Sequence, residues 1–529
     1  MRLRLLALPL AAALAPLTLR AQTSSYSLVL THTGGDTIAI ERVSRTADRL
    51  EGDLVLRSGG VRVVYRADLG AEGDVTRFVL TQRRASDASD ATPQFSGDIT
   101  FVGDSAFARV STAGGAPQQQ RFVVSRGAIP YFSPSFALVE LAIARARARG
   151  GASVEVPMMN INNAHPFQAK VVAVGADSVT VTMGTALAHL AVETDGRIRG
   201  GAIPDQGLVV TRGAAISAES MRTEKPDYSA PAGAPYTATD VVVPTARGYT
   251  LAGTLTMPSG ARGAVPAVVT ITGSGPEDRD EAIPPVKGYR PFREIADSLA
   301  RRGIAVLRMD DRGTGGSGGN FLEATSDDFA QDIESGLAYL RARGDIDGAR
   351  LALVGHSEGG LIAPIVAARD ARVRAIALMA GPGYTGRRIL EFQNRYALDH
   401  NPKLTPAVRD SLMRHVVPHA LDSLDRSNRW MHFFFTHDPL VTARQVRQPV
   451  LILQGQTDQQ VTPEQADTLA AAFRAGGNRS VTVKRFADAN HLFLHDPSGD
   501  PGGYTTLGDH ALRRDVLGTL VDWLVTQLR

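Results

Sequence analysis

The chain has 529 residues, 43% of them hydrophobic and 21% charged, with a formal charge of +3 at neutral pH and no cysteine. That length calls for more than one hydrophobic core, and the composition is that of a soluble globular protein. The missing cysteine excludes disulfides, thiolate metal sites and cysteine nucleophiles, and the small charge offers no global field for nucleic acid or anionic lipid.

Residues 1–21 read as a secretory leader. Arg2 and Arg4 make a basic start, Leu5 to Ala15 an apolar run, and Leu19-Arg20-Ala21 a small-residue cleavage site. The run is shorter than the roughly 20 apolar residues that span a bilayer, and no later segment is apolar enough to cross one. Cleavage would remove Arg2, Arg4 and Arg20 with no acid, which brings the formal charge from +3 to zero. The expected location is the periplasm or the medium.

Residues 22–222 have a β texture. Short alternating runs such as Tyr26 to Leu30, Arg62 to Tyr65 and Ser178 to Thr182 are separated by Gly-Asp and Gly-Gly turns. The pattern predicts a mainly antiparallel β domain, curved or sandwiched, with one helix over about Pro134 to Arg149 that buries Phe136, Val139, Leu141 and Ile143. Arg145, Arg147 and Arg149 then fall at a solvated helix end. His32, His165 and His189 are scattered singly and form no ligand cluster. The Pro/Ala/Gly-rich stretch 223–238 reads as a linker.

From residue 239 to 529 strands alternate with helices, the rhythm of a mostly parallel sheet. Eight strands are expected, at Thr239–Val243, Thr250–Thr256, Ala267–Thr272, Ala305–Met309, Leu351–Val354, Ala375–Met379, Val450–Gln454 and Val481–Phe486. Helices are expected near Pro291–Arg302, Asp327–Arg343, Glu358–Ala368, Pro463–Ala475 and His510–Leu528. An insertion over about 381–447, without glycine after Gly386, reads as a helical cap above the carboxyl edge of the sheet, where such sheets place their ligands.

The strand ending at Val354 runs directly into Gly355-His356-Ser357-Glu358-Gly359-Gly360 and then into an apolar helix. Strand, sharp turn and helix expose a serine hydroxyl at the apex, with glycines where the two elements approach. A serine needs a base, and the base an orienting acid. Asp458 follows the strand Val450–Gln454, and His491 follows Val481–Phe486, so both stand beyond strand carboxyl ends. Asp488 and His495 are the rival acid and base. The oxyanion donors expected are the backbone amide of Glu358 and that of Ser274, in Gly273-Ser274-Gly275-Pro276, with Gly275 as alternative. The Glu358 carboxylate reads as a complement to its helix N-terminus, and His356 as a packing or supporting residue. Asp310 to Ser317 lacks the Gly-Lys-Ser/Thr ending of a phosphate loop and reads as a structural loop beside the site. Trp430 and Phe434, in an aromatic cluster of the cap, are candidate substrate-binding residues or cap core.

From about Asp240 onward the chain resembles bacterial α/β-hydrolase-fold serine esterases and the related prolyl-oligopeptidase-like and serine-aminopeptidase-like hydrolases. The resemblance is carried by Thr272 to Asp280, Asp311-Arg312-Gly313, Gly355 to Gly360, Gln454 to Gln459 and Asn490-His491. It implies an α/β-hydrolase fold, a Ser357–Asp458–His491 triad and hydrolysis through an acyl-enzyme, without metal or cofactor. The N-terminal region lacks the repeats of a substrate-filtering propeller, so a small carboxylic ester is the expected substrate. The alternatives are an exopeptidase or amidase of the same fold, and a binding protein whose hydrolase domain is inert.

Overall fold

The computed structural model describes residues 23–529 apart from 34, 36, 58–59, 113–115, 163–164, 185, 284–285 and 322, so the leader expected over 1–21 lies outside the described residues. Two compact units are present, with the main division between Thr223 and Glu224.

The first unit is a fifteen-stranded sheet, from β1 (Ser24–His32) to β15 (Leu208–Ala214), with one long helix, α1 (Phe136–Arg149). Alternation gives each strand two faces. In β2 (Thr37–Arg45), for example, Ala39, Glu41 and Val43 are buried and their neighbours are not. The strands lie in chain order around the sheet, and β1 pairs antiparallel with β15. The order breaks only between β8 (Gln118–Val123) and β9 (Ile129–Tyr131), which are the two edges. So short a connection reaches about 20 Å at most, so the edges stay near each other and the sheet curls almost closed.

Helix α1 is buried continuously from Phe136 to Ile143, and it shares a core with Leu50, Leu54, Phe78 and Val156. A helix so enclosed must satisfy its first amides with protein groups. Glu41 does so, accepting from the amides of Phe136 (2.9 Å) and Ala137 (3.0 Å) and from the hydroxyls of Ser135 and Tyr65 (2.6 Å each). Its burial pushes the carboxyl above the usual range. Glu140, one face round, accepts from Tyr26 and from the Ile198 amide (2.8 Å), and burial pushes it up to about 7. At the other end Arg145 and Arg147 are not simply solvated, because they donate to the carbonyls of Gly73 and Ala176.

The second unit is an eight-stranded sheet of β16 (Tyr236–Pro244), β17 (Thr250–Pro258), β18 (Val265–Ile271), β19 (Ala305–Met309), β20 (Ile346–His356), β21 (Val373–Met379), β22 (Val450–Gly455) and β23 (Val481–Phe486). Their order is β16-β17-β19-β18-β20-β21-β22-β23. The first two are antiparallel to their neighbours and the rest run parallel. Strands such as β19 and β22 are buried along their whole length, as both-face coverage requires. Helices α2 (Pro291–Ala300) and α11 (Arg514–Leu528) pack with Val268, Val306 and Val354 on one face. On the other, α3 (Ser326–Arg341), α4 (Glu358–Arg369) and α10 (Glu464–Ala475) pack with Val269, Leu307 and Leu353.

Between β21 and β22 stand five cap helices: α5 (Gly386–Asp399), α6 (Pro406–His415), α7 (Val417–Ser427), α8 (Arg429–Thr436) and α9 (Pro439–Ala443). They own a small core of Ile389, Val417, Leu421, Phe434 and Phe435. Part of the stretch read as a linker is anchored on this unit. The Tyr228 hydroxyl donates to Asp278 (3.1 Å), its ring lies under Arg279, and β16 begins as early as Tyr236. Among the described residues no helix is long and apolar enough to cross a membrane.

Candidate active site

Ser357 sits between β20 and α4 with φ 51° and ψ −115°, a conformation that side-chain-bearing residues avoid. The turn is held by its neighbours. The Ser357 amide donates to the Met379 carbonyl at the end of β21 (2.9 Å), and a methyl group on Gly355 would lie 2.0 Å from the Gly359 carbonyl oxygen. One on Gly359 would lie 2.1 Å from the carbonyl of Ile271. Only glycine lets strand, turn and helix come this close, so the turn's sequence and its strain have one cause.

His491 and Asp458 arrive from the loops after β23 and β22. His491 Nδ1 lies 2.8 Å from Asp458 Oδ2, and both side chains are buried. Asp458 also accepts from the amides of Gln460 (2.8 Å) and Val461 (2.9 Å) and from Gln454 Nε2 (3.1 Å). These donors fix the carboxylate, which in turn fixes the imidazole with its hydrogen on Nδ1 and a free pair on Nε2. No hydrogen bond joins Ser357 Oγ to a described residue. The rivals are elsewhere: Asp488 and His495 are both exposed.

The loop after β18 approaches Ser357. A methyl group on Gly273 would meet Ser357 Cβ at 3.5 Å, Ser274 is exposed beside it, and its amide makes no hydrogen bond to a described residue. The loop is braced from behind by carboxylates. The Gly273 amide donates to Glu277 Oε2 and Glu281 Oε1 (2.9 Å each). Asp311 accepts from the Thr272 hydroxyl (2.8 Å) and the Glu277 amide (3.0 Å). Burial, followed by the charges of Glu281 and Asp311, raises Glu277 well above the usual carboxylate range, and burial does the same to Asp311. Next to it, Asp310 holds Arg279 through paired bonds of 2.9 Å, and Asp280 pairs with Arg308. The Asp310 to Ser317 loop is thus a structural border of the site, and Asp278-Arg279-Asp280 supplies the other half of its buried ion network. Nothing local in the sequence marks that pairing, since Arg279 and Asp310 are 31 positions apart.

Glu358 stands in the first turn of α4, and its carboxylate is buried there, accepting from Ser326 Oγ (2.5 Å) and Trp430 Nε1 (2.6 Å), with burial pushing it up to about 7. Trp430 is half-buried and stacks on Phe434 at 5.2 Å between ring centres. Phe434 lies in the cap core. The residue after Ser357 therefore grips the cap. His356 is buried too, bridging Glu281 and the His491 carbonyl.

A family model described as serine aminopeptidase, S33, matches residues 288–498, which include Ser357, Asp458 and His491. Esterase EstD of Thermotoga maritima is 28% identical over 287 residues, which are 52% of this chain and 65% of EstD. Dipeptidyl aminopeptidase BIII of Pseudoxanthomonas mexicana is 26% identical over 235 residues, 43% of this chain and 30% of that protein. The chain thus spans less than two thirds of the length of either relative. Among solved structures, the Pyrococcus furiosus esterase Pf2001 aligns with 58% of this chain and all of its own, at 16% identity and a TM-score of 0.39. The sheet order and the strand-turn-helix around Ser357 give the C-terminal unit an α/β-hydrolase fold, and in sequence the chain is similar to the serine aminopeptidase family model, within that unit, and to EstD.

Proposed function

We propose that the protein is a serine hydrolase that cleaves small carboxylic esters through an acyl-enzyme. Ser357 Oγ attacks the ester carbonyl while His491 Nε2 takes its proton, and Asp458 holds the imidazolium that results. The amides of Ser274 and Glu358 receive the oxyanion. Collapse expels the alcohol, which takes the proton back from His491. Water, deprotonated in turn by His491, then releases the acid and restores the serine. The 2.8 Å bond between His491 and a fully hydrogen-bonded Asp458 is the observation that carries this reading. Trp430, half-buried beside Glu358, forms a wall of the substrate pocket with Phe434 behind it. No metal or cofactor enters the scheme.

Replacing Ser357 by Ala is expected to abolish p-nitrophenyl acetate hydrolysis with the unfolding midpoint unchanged. Hydrolysis by that variant at the wild-type rate overturns the assignment. The aminopeptidase descriptions of the family model and of one relative support amide cleavage as a second reading. Aminoacyl anilides assayed beside short acyl esters separate the two. The basic, apolar and small-residue pattern of residues 1–21 supports export, with a mature chain beginning at Gln22.

A further inference from the structure

His356 is a buried imidazole with no part in the scheme above, yet it touches both loops that the scheme depends on. Its Nε2 lies 2.9 Å from the main-chain carbonyl of His491, and its Nδ1 lies 2.7 Å from Glu281 Oε1. A carbonyl only accepts, so Nε2 carries a hydrogen. The same Glu281 oxygen accepts the Gly273 amide at 2.9 Å, whereas Oε2 is buried with no partner. A continuous path of hydrogen bonds therefore runs from the loop of Gly273 and Ser274, through Glu281 and His356, to the backbone of the loop that carries His491.

The proton count makes this path tolerable in a dry interior. With Nε2 protonated, one further proton lies between Nδ1 and Glu281, and the pair has no net charge wherever that proton rests. Burial alone would push the His356 pKa down, but the Glu281 charge and hydrogen bond outweigh it and leave it raised. An apolar side chain would fill the same space without desolvating two polar groups. What the polar pair adds is a fixed distance between two loops.

We propose that His356, with Glu281 behind it, is a positioning residue that sets the His491 main chain and the Gly273–Ser274 loop in one frame around Ser357. The proposal rests on the triad reading. It places the cost of losing His356 in the chemical step rather than in substrate binding, because neither ring nitrogen is free to meet substrate.

The test compares His356→Gln, whose amide nitrogen reaches the place of Nε2 and still donates, with His356→Leu, which fills the volume and donates nothing. On p-nitrophenyl acetate, His356→Leu is expected to lose about 10- to 100-fold in kcat with KM within about twofold, the scale of a small misplacement of reacting groups. His356→Gln should recover most of that loss. A kcat for His356→Leu within about twofold of wild type, or an equal loss in both variants, overturns the positioning role. If His356→Leu does not fold, Glu281→Gln, His356→Ala and the double variant decide. A double-variant loss no larger than the larger single loss supports one shared path, and additive losses overturn it. Fluorophosphonate labelling of wild-type Ser357 keeps the two readings apart. An unlabelled Ser357 defeats the triad reading, whereas a labelled Ser357 with an undiminished His356→Leu defeats only this one.

Discussion

Both units bury carboxylates, but they use them for different ends. In the N-terminal unit Glu41 accepts the first amides of α1, and Glu140 ties the same helix to Tyr26 and Ile198. The bonds of Glu41 satisfy backbone amides of a buried helix start, and those of Glu140 tie the helix to neighbouring strands. In the C-terminal unit Glu277, Glu281 and Asp311 aim instead at the amides and hydroxyl of the loop beside Ser357, and Asp458 aims at an imidazole. The chemistry of burial is the same in both. What differs is whether the partner is a helix end or a loop that must hold still near a reacting atom.

This contrast yields three expected outcomes, beginning with the largest. Asp458→Asn keeps the shape of the acid but donates where it should accept, so about a 10⁴-fold loss of kcat with little change in unfolding midpoint is expected. A loss of stability comparable to that of a core deletion would move Asp458 to the structural side. Glu41→Leu, by contrast, leaves the Phe136 and Ala137 amides without an acceptor and the Tyr65 and Ser135 hydroxyls with only each other. It should cost about 3 kcal/mol or more, read by denaturant unfolding of the N-terminal unit. An unchanged midpoint would show that water or a repacked α1 replaces the carboxylate.

The smallest effect concerns pH and sets one residue from each unit side by side. Glu140 and Glu358 are both pushed up to about 7 by burial. The folded protein then holds these protons more tightly than the unfolded chain does. Their contribution is therefore fully present below about pH 4.3 and is lost as pH rises through about 7, at most about 4 kcal/mol each. Glu140→Gln and Glu358→Gln should each flatten the fall in unfolding midpoint between pH 5 and 8. Only Glu358→Gln should also change ester turnover, through Trp430 and the cap.

Much of the catalytic unit was legible because its signals are local. Strands such as Ala305–Met309 and Val481–Phe486 are short apolar runs closed by turn residues, and their limits coincide with those observed. Ser357, Asp458 and His491 stood out as candidates because each stands just past a strand's carboxyl end, and the structure brings Asp458 and His491 together. The Glu281–His356 bond could not, because it joins positions 75 apart and neither residue's neighbours announce it. The partners of Glu358 were hidden for a related reason. Its place at a helix N-terminus suggested a dipole partner, and only the fold brings Ser326 and Trp430 over it. In the first unit, alternation and turn signals revealed a meander but not how it ends, since the pairing of β1 with β15 depends on segments at opposite ends of that unit.

That pairing has a consequence for biosynthesis. Ser27 and Ala214, bonded across the seam, are 187 positions apart, so β1 emerges long before its partner exists. At translation speeds of about 5–20 residues per second, the first strand waits roughly 10–40 s for the last one. Each hairpin between them can form as it appears, but the seam between the first and last strands must close last. A substitution that weakens β15 should therefore leave a nascent sheet whose first strand is paired with β2 but open along its other edge, and reveal itself as lost yield rather than lost activity.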